Sequence, residues 1–171
     1  TDTLTGHAAS SFQVTQRVLS SSGSRIYDGS TTASSSDLTL SNLVGSETLT
    51  LSGSGTLADA NVATNKSVTL NTLSIADGSN GGLAANYILA GGTHQLSVTQ
   101  RVLNATGTRL YDASTNANSS DLSLGNLVGS ETLVLSGVGT VADKNVAANK
   151  TIGVGTLGLG NGGSGGLAAN Y

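Results

Sequence analysis

Seven acid or base positions recur 84 residues apart: Arg17/Arg101, Arg25/Arg109, Asp28/Asp112, Asp37/Asp121, Glu47/Glu131, Asp59/Asp143 and Lys66/Lys150. Gathered together, the carboxylates could form an acid pair or a Ca²⁺ site. Calcium takes about six to eight oxygens, usually from closely spaced Asp and Asn around a Gly turn. Here successive acids lie about ten residues apart, so a site would need assembly by tertiary folding. The loop Asp77-Gly78-Ser79-Asn80-Gly81-Gly82 has a calcium-loop composition, but its second occurrence begins at Asn161 and lacks the acid. It reads as a hairpin loop. A Ser/His/Asp triad fails on histidine: neither His7 nor His94 has a counterpart in the other copy. Both are expected in linkers or solvated loops, not as bases within reach of a nucleophile. A crosslink from Lys66 or Lys150 to an Asn would bury amine, amide and acid together, at a high desolvation cost. A solvated Lys that discourages strand-edge pairing is the simpler expectation. With no Cys there is neither thiol nucleophile nor thiolate metal site. The expectation is a chain with no enzymatic activity, catalytic residue, cofactor or metal.

Composition points the same way. Of 171 residues, 37% are apolar and 10% charged, both below the usual share of a globular domain. A net charge of −3 with seven Lys plus Arg offers no footprint for nucleic acid or an anionic membrane. No apolar run approaches the roughly 20 residues that span a bilayer, and no leader pattern opens the sequence. Disorder is disfavoured, because disordered chains are usually rich in charge and Pro, and this one has no Pro.

What must position these residues is a duplication. Shifted by 84, the chain aligns with itself without a gap, and roughly 48 of the 84 positions are identical. VTQRVL at Val14 returns at Val98, NLVGSETL at Asn42 returns at Asn126, and GGLAANY at Gly81 returns at Gly165. The period exceeds the 20–50 residues of solenoid coils and suits a small domain that closes its own core. We therefore read two tandem modules, residues 1–90 and 91–171, from what is expected to be a longer array. The joint falls at Ala90-Gly91-Gly92-Thr93.

Alternation of apolar and polar residues marks short strands. Candidates are Phe12 to Val18, Arg25 to Tyr27, Leu38 to Leu40, Leu49 to Leu51, Gly55 to Ala58, Val68 to Leu70 and Ala85 to Leu89, with Leu96 to Val102 opening the second copy. Ser, Gly, Asn and Asp clusters separate them, as turns require. About seven short strands per copy read as an antiparallel sandwich, Ig-like or similar. The fold class is thus all-β: two β-sandwich modules head to tail, with little or no helix. One helical turn is conceivable within Leu57 to Lys66. The copies are expected to superpose in every strand.

The Tyr-Asp pairs are expected to serve the fold. Tyr27 and Tyr111 follow Ile26 and Leu110 where a strand gives way to Ser/Thr-rich chain, so each ring can fill the core and its hydroxyl can reach a loop. Asp28 and Asp112 are placed to accept from backbone amides two or three residues on. Gly29 would ease the turn, and Ala113 implies that a right-handed conformation suffices there.

The stretch Arg25-Ile26-Tyr27-Asp28-Gly29-Ser30-Thr31-Thr32 resembles the YDG-type repeat domain of filamentous-haemagglutinin-like bacterial surface adhesins, which Gram-negative bacteria export by two-partner secretion. Gly45-Ser46-Glu47, Leu57-Ala58-Asp59-Ala60-Asn61-Val62 and Lys66 follow in the family's order. Asn86-Tyr87-Ile88-Leu89 is similar to its terminal Asn-Tyr-Thr-Leu, and Asn170-Tyr171 repeats it. The resemblance covers nearly the whole chain twice. Departures are Ala113 for Gly, and Leu57 and Val141 for an aromatic residue.

The resemblance implies the stalk or spacer of a large secreted adhesin, supporting cell adhesion or biofilm formation at the outer-membrane surface of a Gram-negative cell. Its structural motif residues would be Tyr27, Asp28, Tyr111, Asp112, Asn86, Tyr87, Asn170 and Tyr171. Partners would be neighbouring repeats of the same chain, with cell-surface or matrix glycans as candidates, and neither nucleic acid nor membrane insertion. One alternative is a carbohydrate-binding module that uses a Ser/Thr/Asn face. Another is a β-solenoid segment, which would need an internal period near 20. Four Asn-x-Ser/Thr acceptor patterns, at Asn65, Asn104, Asn118 and Asn149, carry little weight in so Asn-rich a chain.

Overall fold

The structure is a computed structural model and describes residues 11–171; His7 lies outside them. It is all-β. Helical geometry among the described residues is confined to four 3₁₀ turns: Ser35–Asp37, Ala84–Asn86, Ser119–Asp121 and Ala168–Asn170. The turn expected within Leu57 to Lys66 is absent; that segment carries bends and then the strand Ala63–Ser67.

In the first repeat, the alternating stretches form the strands Leu38–Ser41 and Leu49–Ser52, with leucines turned inward and Thr or Ser outward. Leu49–Ser52 pairs with Ser74–Asp77, and Thr32–Ser34 with Ser54–Thr56, as antiparallel ribbons. Val68 to Leu70 contributes a single bridge, Thr69 to Thr56, in place of a full strand. The longest strand, Ser20–Ile26, takes Leu38–Ser41 on one edge. Gly23 sits at this crossing because a Cβ there would lie 1.7 Å from the Asp37 carbonyl oxygen.

On its other edge Ser20–Ile26 pairs with His94–Thr99, a strand of the second repeat. The pairing is parallel over six positions, from His94 opposite Ser21 to Thr99 opposite Ile26. The far edge of His94–Thr99 then takes Ala63–Ser67 in antiparallel fashion. The four-stranded sheet therefore runs Leu38–Ser41, Ser20–Ile26, His94–Thr99, Ala63–Ser67. A second parallel contact joins Arg17–Val18 to Tyr87–Ile88. Two pairings are thus parallel where an all-antiparallel arrangement was expected. The expectation that each repeat closes its own core is corrected in the same place. Leu96 and Val98, at 0% and 2% exposure, complete the buried cluster built on Leu19, Leu38, Leu57, Val68 and Leu73. Burying two such side chains is worth about 1.5–3 kcal/mol each, which is why the strand is drawn in.

The second repeat shows a related sequence without that strand among the described residues. It keeps the ribbons Asn104–Gly107 with Leu122–Gly125, Asn116–Asn118 with Val138–Thr140, and Leu133–Ser136 with Gly158–Asn161. Residues 147–151, counterparts of Ala63–Ser67, form no strand, because in the first repeat that strand is bonded only to the inserted one. Leu103, Leu122 and Ile152 are only partly buried where Leu19, Leu38 and Val68 are buried. Superposition strand for strand therefore fails at these two elements. Residues 11–15, counterparts of 95–99, are exposed and carry no strand among the described residues, so the candidate strand Phe12 to Val18 is reduced to Arg17–Val18.

Candidate interaction site at the repeat junction

The Tyr-Asp segment is aimed by its own turn. The Tyr27 amide donates to the Thr99 carbonyl at 2.8 Å, fixing the residue at the end of the shared sheet. Asp28 Oδ1 accepts from the Ser30 amide at 2.9 Å, and Ser30 Oγ from the Thr32 amide at 3.0 Å. The Arg25 guanidinium donates to the carbonyls of Ser30 and Thr32 and lies 3.5 Å from Asp28. Asp112 and Arg109 repeat the pattern: Asp112 Oδ1 accepts from the Ser114 amide at 2.9 Å. The expected Asp turn is present in both copies. The expected right-handed alanine is not: Ala113 has φ +61°, close to the +74° of Gly29. The turn needs the left-handed region whichever residue occupies it.

Tyr27 is buried, at 3% exposure, and crosses to the second repeat. Its hydroxyl donates to Glu131 Oε1 at 2.6 Å, and the Tyr171 hydroxyl donates to Glu131 Oε2 at 2.7 Å. The two rings meet edge to face, with centroids 5.5 Å apart at 77°. The Tyr171 hydroxyl also accepts from the Val128 amide at 3.0 Å. Beside them Asn170, at 1% exposure, accepts from the Val62 amide at 3.0 Å and donates to Asn61 Oδ1 at 3.1 Å. Arg101 is held by Asn126 at 2.7 Å and reaches the Tyr27 carbonyl at 3.4 Å. Burial, and then the Glu131 carboxylate, push the Tyr27 hydroxyl up to about 12. Tyr171 is raised for the same two reasons. Glu131 thus takes one phenol on each oxygen and ties Tyr27 of the first repeat to Tyr171 of the second, as a lock across the seam.

The two ends of the chain carry the separate halves of this lock. In the first repeat, the Tyr87 hydroxyl donates to Glu47 Oε2 and accepts from the Val44 amide at 3.1 Å. That bond to Glu47, and then burial, raise the Tyr87 pKa. Among the described residues, no second tyrosine reaches Glu47, and Asn86, unlike Asn170, is exposed. In the second repeat, Tyr111 is 60% exposed, which corrects the expectation of a buried ring. Tyr27 is covered by the second repeat, whereas no described residue covers Tyr111 in the same way.

Two further residues differ from expectation. Lys66 is not a solvated edge residue: its Nζ donates to Asp59 Oδ1 at 2.6 Å and to the carbonyls of Asp59 and Asn61 at 2.9 and 2.8 Å. It ties the loop that receives Asn170. The Lys66 bond, and then the Asn61 amide, hold the Asp59 carboxyl below the ordinary range; Lys150 and Asn145 do the same to Asp143. His94 is buried rather than solvated, bridging Ser21 Oγ and the Leu89 carbonyl at 2.9 Å each. It continues the inward register of Leu96 and Val98, so period-2 alternation extended by one step would have found it. The role of Glu47 and Glu131 was visible only as recurrence.

The fold and junction define a class: an all-β tandem-repeat protein in which the second repeat lends a strand to the sheet of the first. The profile of the YDG domain matches residues 11–95 and again 93–171, and the chain belongs to that family. No curated protein and no solved structure matches it.

Proposed function

We propose that the chain is a stalk or spacer segment of a large secreted bacterial adhesin of the filamentous-haemagglutinin-like kind. In this reading, each repeat is a sandwich-like module set head to tail with the next. The observation that carries the proposal is the junction. A strand passes from one repeat into the sheet of its neighbour, and Tyr27, Glu131 and Tyr171 lock the seam. Such a joint fixes spacing between repeats, which a flexible Gly-Gly linker would not. The chain would then act outside the cell, at the outer-membrane surface of a Gram-negative bacterium, with neighbouring repeats as its partners.

Deleting one 84-residue period from the full-length adhesin should shorten the surface fibre by one module in electron micrographs, while ligand binding by the rest of the adhesin is retained. An unchanged fibre length would refute the spacer role. A second reading, a glycan-binding module, draws on the exposed Tyr111 ring, since aromatic faces stack on sugars. A glycan array probed with this chain and with Tyr111→Ala separates the two: Tyr111-dependent sugar binding would favour the second.

A further inference from the structure

The loop between the strands Ser74–Asp77 and Tyr87–Ile88 carries the run Asn80-Gly81-Gly82, and the second repeat carries another, Asn161-Gly162-Gly163. They fall at different places in the repeat: Asn80 aligns with Ser164, and Asn161 with Asp77. An Asn before Gly is open to attack on its own carboxamide by the next backbone nitrogen, because no Cβ stands in the way. The residues that follow the two asparagines are the same, so the fold decides which one reacts.

The fold separates them. The Gly162 amide donates to the Gly166 carbonyl at 2.9 Å, and Asn161 Oδ1 accepts from the Ala168 amide at 2.9 Å. Nucleophile and electrophile are both engaged, and Asn161 is also paired with Leu133 in the ladder. At Asn80 the nucleophile is free. The Gly81 amide has no hydrogen-bond partner among the described residues, and a Cβ on Gly81 would meet nothing within 4 Å. Residues 76–81 are exposed to water. The Asn80 carboxamide is held by its nitrogen, which donates to the Ser46 carbonyl at 3.0 Å.

We propose that Asn80 deamidates spontaneously in the folded chain while Asn161 is protected, and that the change unclasps this loop from residues 46–48. The Gly81 nitrogen bonds to Asn80 Cγ, and the Cγ–Nδ2 bond breaks. Nδ2 leaves as ammonia with the proton that the Gly81 amide gives up. Water then adds to either carbonyl of the resulting succinimide and opens it to aspartate or isoaspartate. Both products put a carboxylate where the donor to Ser46 stood, so that bond is lost and oxygen faces oxygen. Isoaspartate also adds a methylene to the main chain, inside a turn closed by the Gly82 amide on the Ser79 carbonyl at 3.1 Å and the Gly78 amide on the Gly82 carbonyl at 2.9 Å. The same loop clasps Thr48: its amide donates to the Ser79 carbonyl at 3.1 Å, and its Oγ1 accepts from the Ser79 amide at 2.7 Å. Glu47, which holds Tyr87, lies between the two clasped residues.

This inference does not depend on the adhesin reading. The full chain is aged for weeks in mildly alkaline buffer and digested, and the two Asn-Gly peptides are weighed. The Asn80 peptide should gain about one mass unit, or about three in heavy-oxygen water, as amide becomes acid. It should convert at least about tenfold faster than the Asn161 peptide, whose fixed hydrogen bonds must first open. In concentrated urea the two rates should converge. Asn80→Ser, which installs the residue found at position 164, should abolish the early acidic shift of the intact chain on ion exchange. In the aged chain, amide exchange at Thr48 and Gly82 should speed up while Thr132 and Gly166 keep their rates. Equal conversion of Asn80 and Asn161 in the folded chain, a difference that persists in urea, or unchanged exchange at Thr48 after ageing would each overturn the proposal.

Discussion

Leu96→Ala should unfold the repeat to which Leu96 does not belong in sequence. Leu96 lies in the second copy, four residues past Gly92 of the joint, yet it is fully buried in the first-repeat core. Truncating a buried Leu costs about 2–5 kcal/mol, the higher figures applying where the cavity cannot collapse. The site is flanked by Ser20–Ile26 on one side and Ala63–Ser67 on the other, so collapse would break a ladder and the upper half of that range is expected. A small domain holds about 5–15 kcal/mol in all, so the loss is a large fraction of the first repeat's stability. Amide hydrogen exchange read by peptide locates it. Protection should fall in Ser20–Ile26, Leu38–Ser41 and Ala63–Ser67, while the ribbon Leu133–Ser136 with Gly158–Asn161 keeps its rates. Phe12→Ala, at the aligned position but 93% exposed, should change stability by no more than about 0.5 kcal/mol. If Leu96→Ala deprotects the second repeat and spares the first, the shared-sheet reasoning is refuted.

Three other outcomes follow from the same contacts. Tyr27 has its hydroxyl raised from 10.0 to about 12 in the folded chain, so its contribution is complete below pH 10 and is lost as pH rises toward 12; melting followed across that window should show a loss that Tyr27→Phe removes. Gly29→Ala places a side chain in left-handed backbone and against Val128, costing about 1–2 kcal/mol for the conformation alone, whereas Ala113→Gly should be neutral or stabilising by urea denaturation. Asp59 has a lowered pKa through Lys66, so the stability it lends is present above its ordinary 3.8 and is lost as pH falls below that value; a Lys66→Met chain should melt lower than wild type at neutral pH and show less of this acid dependence.

The duplication was legible by self-alignment. The strands Leu38–Ser41 and Leu49–Ser52 and the Asp turns were legible because they depend on residues close in sequence. Ala63–Ser67 and Ser74–Asp77 were missed, and Val68 to Leu70 gave only a bridge. Leu38, Leu40, Leu49 and Leu51 face inward on alternation alone, and Asp28 finds the Ser30 amide two residues on. The shared strand was not legible. VTQRVL reads identically at Val14 and Val98, yet Val98 is buried and Val14 is bare. Val98 is buried because its strand lies in the sheet of the first repeat. The same holds for Tyr27 and Tyr111, at 3% and 60% exposure. Ala113 misled because a non-Gly residue was taken to exclude the left-handed region, which the Asp112 turn imposes regardless.

The parallel register between Ser20–Ile26 and His94–Thr99 decides how the chain carries load. Tension drawn along the backbone enters the first strand at Ser20 and leaves the inserted strand at Thr99. Parallel neighbours pulled from opposite ends must slide past one another, and the evenly spaced slanted bonds of a parallel ladder then share the force together. An antiparallel hairpin pulled at its two adjacent ends would open one bond at a time. The short ladder of Arg17–Val18 on Tyr87–Ile88 is loaded in the same sense. The inserted strand therefore converts a joint that could peel into one that must shear.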